Sequence, residues 1–211
     1  MADQVGKYVA DNLRAWEEVA PIHARHNQAR LLEAFSTGGF SALADVTIQR
    51  LKANGVEGAD IVQICCNNGQ ELLSTKALGA ARLVGIDGTE GFVAQGRELA
   101  AAAGIEAEFV VANIYEPTDG YQSRFDIALI TIGVLSWMPD LKRFFEIAAE
   151  FLRPGGVLLI HEQRPVIEMM EPGGKDDPVK FELSYFDETA YVDASGLDYY
   201  GFETYDATPN N

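Results

Sequence analysis

Cysteine is scarce in this chain: there are two in 211 residues, Cys65 and Cys66, and they are adjacent. They sit at what reads as a buried strand end, where successive side chains point to opposite faces, so a disulfide between them is geometrically disfavoured. Two thiols at that spacing do not make a metal site either, and no metal is expected. They read as small core or loop residues in a reducing compartment. Positive charge is also short, with 16 Lys and Arg against 32 Asp and Glu and a formal charge of -16. Such a field repels polyphosphate and argues against a nucleic-acid partner, although part of the acidity simply keeps the protein soluble. Long apolar runs are missing, so no membrane partner is expected, and the N-terminus has no apolar core after its first charges, so no signal peptide is expected. The protein reads as cytoplasmic.

What is present is an ordinary globular composition, 47% apolar and 23% charged, at a length suited to one well-buried domain with an appendage rather than two full domains. The first fifty-odd residues read as helices. Leu13, Trp16, Val19 and Ala20 recur at helical spacing between Asp11 and Ala20, and Pro21 is expected to interrupt the pattern. A helix over Gln28–Phe35 and another capped by Ser41 and running to Leu51 follow. From residue 59 the pattern becomes strands alternating with helices. Strands are expected at 61–65, 82–87, 108–113, 126–131 and 157–161, with helices at 71–78, 90–103 and 141–152 between them. Continuously apolar strands separated by helices imply a parallel sheet covered on both faces, and right-handed crossovers make it an α/β, doubly wound, Rossmann-like sheet. Three parts result: an N-terminal helical cap over residues 1–55, the core over 56–165, and an aromatic, acidic segment over 166–211. In the last part, 180–186 and 197–205 are candidate strands.

Ligands of doubly wound sheets bind at the carboxyl ends of the strands. The notable residues of the core fall at such ends: the turn Cys65-Cys66-Asn67-Asn68-Gly69 after the first strand, Asp87 closing the second, Asn113 closing the third, and Thr131-Ile132-Gly133 after the fourth. Asp87 stands twenty-odd residues past the first strand, where an acid can accept hydrogen bonds from both hydroxyls of a ribose. The alternative is an Asp that caps the helix beginning at Thr89 and Glu90.

The order of a glycine-bearing first turn, an acid ending the second strand, "ANIYE" after the third and "LRPGGVLLI" into the fifth resembles the class I S-adenosylmethionine (AdoMet)-dependent methyltransferases, over roughly Ile61 to Gln163. "RAWEEVAPIHARHN" and "VLSWMPDL" are similar to one bacterial branch, described only generically, whose first loop reads "LQCxxG". The resemblance implies AdoMet as cofactor, S-adenosylhomocysteine as product and in-line methyl transfer to a small-molecule acceptor. It assigns the methionine end to the turn from Gln63 to Gly69, including Ile64, Cys65 and Asn67. Asp87 and Gly88 would take the ribose, Asn113 and Ile114 the adenine, and Thr131 and Ile132 the sulfonium side. The loop departs from the usual acid-x-Gly-x-Gly-x-Gly: Gln63 brings no charge toward the ligand's ammonium, and Cys65 and Asn67 replace glycines. Asn tolerates the left-handed conformation better than most residues.

Methyl transfer needs alignment more than a base, and a base is optional. His23, His26 and His161 are the candidates for one. Residues 1–55 and 164–211 are what remains to enclose an acceptor, and Tyr8, Trp16 and Trp137 are candidate lid residues. A full class I fold adds a helix and two more strands after the fifth, and fewer than fifty residues follow Gln163. Either the chain is shortened or its sheet is completed differently, and an unpaired edge would invite homodimerisation. Two rival readings differ in kind. A nicotinamide oxidoreductase should show G-x-G-x-x-G, which the first turn lacks. A non-catalytic ligand-binding or scaffold protein on a decayed methyltransferase fold would tolerate the altered loop.

Overall fold

Four consecutive residues, Ile61–Ile64, are wholly buried and form β1, the centre of a sheet in which every strand is parallel to its neighbours. The structure, a computed structural model, describes residues 2–116, 120–163, 165–170, 180–186 and 189–210. Around β1 lie β2 (Leu83–Asp87), β3 (Glu108–Val111), β4 (Phe125–Ile130) and β5 (Leu152–Ile160), in the order β3-β2-β1-β4-β5. This is the doubly wound, Rossmann-like sheet expected, with five strands among the described residues rather than seven.

The strand side chains alternate between two apolar layers. Ile61, Leu83, Ile127 and Leu129 point into one layer with α2 (Ala29–Thr37), α3 (Asp45–Ala53), α4 (Gln70–Ser74) and α5 (Glu90–Ala103). Val62, Ile64, Val84, Ile86, Ala128 and Ile130 point into the other, closed by Phe144, Ile147 and Phe151 of α6 (Leu141–Phe151). A third cluster, Val19, Ala20, Ile22 and Phe92 with Trp16 and Leu197, fixes α1 (Ala2–His23) to α5 and to the C-terminal segment.

Several boundaries differ from the sequence reading. Pro21 does not end the first helix: α1 runs through it, and a π-helical turn over Ala24–Gln28 carries the chain directly into α2. A π-turn re-registers the ladder where a proline has removed a donor, which is how the helix continues. Ala44, not Ser41, precedes α3, and the Ser41 hydroxyl instead accepts the Leu43 amide at 3.2 Å. Arg153-Pro154-Gly155-Gly156 lies inside β5 as an irregularity: Phe125 pairs with Leu152 but Ile127 with Val157. The described parts of 180–186 and 197–205 form no strand of the sheet, only isolated bridges such as Met170 with Phe181 occurring nearby. A short α7 (Pro165–Glu168) follows β5.

Candidate active site

With β2 on one side of β1 and β4 on the other, strand order reverses at β1, and a crevice opens above the carboxyl ends there. A cavity of about 700 Å³ occupies it. The chain leaves β1 through two non-glycine residues in the left-handed region, Cys65 (φ 53°) and Asn67 (φ 51°). Such a conformation costs an ordinary L-residue about 1–2 kcal/mol, so the turn is held by bonds around it. The Cys66 amide donates to Ile86 O (3.0 Å), the Asn67 amide to Asp87 Oδ2 (2.8 Å), and the Asn68 amide to the Asn67 side chain (2.8 Å).

Asp87 is therefore part of the loop's support. Its other oxygen accepts the Thr89 amide at 2.9 Å, at the start of α5, so it also serves the helix end. Burial pushes the Asp87 carboxyl above its usual range, and the Asn67 and Thr89 amides oppose this. The Thr89 side chain also bonds the carboxyl, and the residue lines the cavity. Across the switch point, Gln63 is fully buried and gives Nε2 to Thr131 Oγ1 at 3.0 Å, while its Oε1 has no partner. On the far side, Glu162 accepts the amides of Gly133, Val134 and Leu135 at 2.6, 2.9 and 3.0 Å and so fixes the loop after β4.

Of the residues assigned to the cofactor, Cys65, Asn67, Asp87, Gly88, Asn113, Ile114, Thr131 and Ile132 line this one cavity. Gln63 lies just behind the wall, and Ile64 faces the α6 layer. Gly69 is turned away from the cavity: it has φ 65°, and a Cβ there would lie 2.4 Å from the Phe109 ring. Its glycine serves the turn and the packing of β3. The three histidines are not among the lining residues. His23 is buried, donates Nε2 to Leu197 O at 3.1 Å, and packs against Tyr199 and Tyr200 with ring centroids 4.4 and 4.9 Å away. His26 pairs with Glu203 at 2.5 Å on the surface, and His161 bonds Thr47 at 2.8 Å.

The second wall comes from outside the strand pattern. Val9, Asn12, Leu13 and Trp16 of α1 face the strand ends, with Trp137, Tyr199 and Tyr200 beside them. The Asn12 amide reaches Trp137 O at 3.4 Å, and the Trp16 and Trp137 rings meet edge to face at 5.2 Å. Glu17 accepts the Gly91 amide at 3.1 Å and seats α1 on the N-terminus of α5. Asn12 and Glu71 were not singled out in the sequence. Glu71, in the first turn of α4, reads there as an ordinary complement to the helix dipole, and nothing local signals that it faces a cavity.

The sheet order and the position of the cavity define a Rossmann-like domain with a crevice at its switch point. Residues 61–156 match the family described as "Methyltransferase domain". No curated protein matches this sequence. Among solved structures, a Methanococcus maripaludis protein assigned provisionally to the S-adenosyl-L-methionine-dependent methyltransferases is 10% identical, with a TM-score of 0.54 over 72% of this chain and 64% of its own. A Pyrococcus horikoshii protein is 19% identical, with a TM-score of 0.51 over 66% and 70%. A Mesorhizobium loti S-adenosylmethionine-dependent methyltransferase is 26% identical, with a TM-score of 0.49 over 59% and 55%. The chain spans only 47% to 50% of the length of three further structures. Residues 61–156 thus resemble a methyltransferase domain, on a sheet of the Rossmann-like order.

Proposed function

We propose that the chain transfers a methyl group from AdoMet to a small, neutral or cationic acceptor held beneath α1 and the aromatic residues Trp137, Tyr199 and Tyr200. One observation supports this: the cavity over the strand ends is also walled by Trp16, Trp137, Tyr199 and Tyr200, on the side away from the strands. Its volume falls within the range of small-molecule sites, about 300–1,000 Å³.

The residues present fit the cofactor. Asp87 brings a carboxylate to the cavity where a ribose hydroxyl can donate to it, and Glu71 brings a second one beside the first turn. A Cβ at Gly88 would meet the Leu13 Cδ2 methyl at 2.3 Å, so any side chain there would displace Leu13 from the cavity wall. When bound, AdoMet supplies an activated methyl on a sulfonium leaving group. The protein's work is then alignment and exclusion of water, which the packed Trp16–Trp137 pair and the Asn12–Trp137 bond serve. No histidine lines the cavity among the described residues, so the reaction in this reading runs without a histidine base, and a methylated amine would keep its proton as the ammonium until it leaves the site.

Among the described residues, the lining contains Glu71 and Asp87 and no Lys, Arg or His, which disfavours an anionic acceptor and favours cation–π contact with the aromatic wall. Incubation with methyl-labelled AdoMet and a panel of amines, phenols and thiols should label a small product. Binding of S-adenosylhomocysteine with no labelled product from any acceptor would favour the non-catalytic reading.

A further inference from the structure

We infer that Glu71 recognises the ammonium of the cofactor's methionine moiety, replacing the charge that position 63 lacks; this rests on the AdoMet reading above. In the acid-x-Gly-x-Gly-x-Gly pattern the negative charge belongs to the end of β1, where this chain has Gln63. That amide has 0% exposure, and Nε2 donates to Thr131 while Oε1 has no partner. Glu71 stands eight residues on, at the start of α4, and lines the cavity. Gln70 Nε2 donates to its carboxyl at 3.2 Å, and the amide group of Gln63 acts in the same sense, favouring the charged form.

Nothing nearby neutralises this carboxylate. Among the described residues no Lys, Arg or His forms an ion pair with Glu71, and none lines the cavity. Burial drives its carboxyl above the usual range, against the two amides. A carboxyl buried without a countercharge is costly, and a cation from the ligand removes that cost. The geometry selects which cation. The Glu71 carboxylate presents two acceptor oxygens to the cavity, suited to a primary ammonium with three N–H donors. A sulfonium has no donors to give them.

The test is calorimetry on the full chain with two probes, S-adenosylhomocysteine and 5′-methylthioadenosine, which shares the adenosine but has no ammonium. In Glu71→Gln, S-adenosylhomocysteine should bind about ten- to hundred-fold more weakly, as expected for loss of a charged hydrogen bond. Methylthioadenosine should stay within about two-fold, and the exchange variant Q63E/E71Q should recover most of the loss, because the charge returns to the same site. Equal weakening of both probes in Glu71→Gln would show that the residue only supports the loop. An unchanged affinity for both would assign the carboxylate to another task. Either result overturns the inference and leaves the AdoMet reading standing. Wild-type protein that binds neither probe would overturn the AdoMet reading itself.

Discussion

Strained backbone at Cys65 and Asn67, and burial of His23, Asp87 and Glu71, carry conformational or protonation costs that can be measured. Cys65 holds φ 53° without the tolerance Asn has for that region. Cys65→Gly should therefore raise stability by up to about 1 kcal/mol in urea denaturation, because the left-handed penalty of an L-residue disappears. Asn67→Gly should give no such gain, since it also loses the Asn67 side-chain bond to the Asn68 amide. His23 is kept neutral by burial, which lowers its pKa below 6.5, while the Leu197 carbonyl and Asp198 oppose the shift. As pH falls below 6.5 the unfolded chain takes up a proton that the folded one still refuses. Stability from this residue is therefore lost on acidification. Asp87 and Glu71, whose pKa values are raised by burial, act in the opposite sense, so the contribution must be isolated by difference. His23→Gln, compared with wild type at pH 7.5 and 5.5, should show a smaller loss of stability on going to the lower pH; an identical loss would place the effect elsewhere.

At the level of elements, Gly69 shows where loop chemistry becomes fold chemistry. Gly69→Ala should cost at least about 2 kcal/mol, combining a left-handed alanine with a methyl driven into Phe109. A variant as stable as wild type would mean that the β1–α4 turn and β3 are not packed as described. The five strands and the helices between them were legible in the sequence because each strand is an apolar run bounded by turn residues, and β1, β2 and β4 are buried on both faces. The strand-end positions of Asp87, Asn113 and Thr131 followed from that pattern alone. Three features did not. Pro21 reads as a stop, yet burial of Val19, Ala20 and Ile22 against Phe92 holds α1 together across it. The eight-residue separation of Gln63 and Glu71 carries no periodic signal, because a turn, not an element, brings them together. The seating of Tyr199 and Tyr200 over α1 depends on His23 and Leu197, contacts separated by more than 170 residues that no local pattern encodes.

For the whole molecule, the charge of -16 and a cavity walled by carboxylates and aromatic rings point the same way. Neither offers purchase to a phosphate backbone, so filter binding with tRNA or duplex DNA should show no salt-sensitive retention, and tight binding that weakens steeply with salt would contradict the assignment of a small acceptor. Everything else depends on the crevice above β1 and β4 being the cofactor site. That is tested most directly by titrating S-adenosylhomocysteine into the wild-type chain and into Asp87→Ala, with circular dichroism confirming that both are folded. The account predicts one site per chain, and binding weaker in the variant by about 1.5–3 kcal/mol, as for hydrogen bonds to a charged group. No heat at millimolar ligand, or an affinity unchanged by Asp87→Ala, would contradict it.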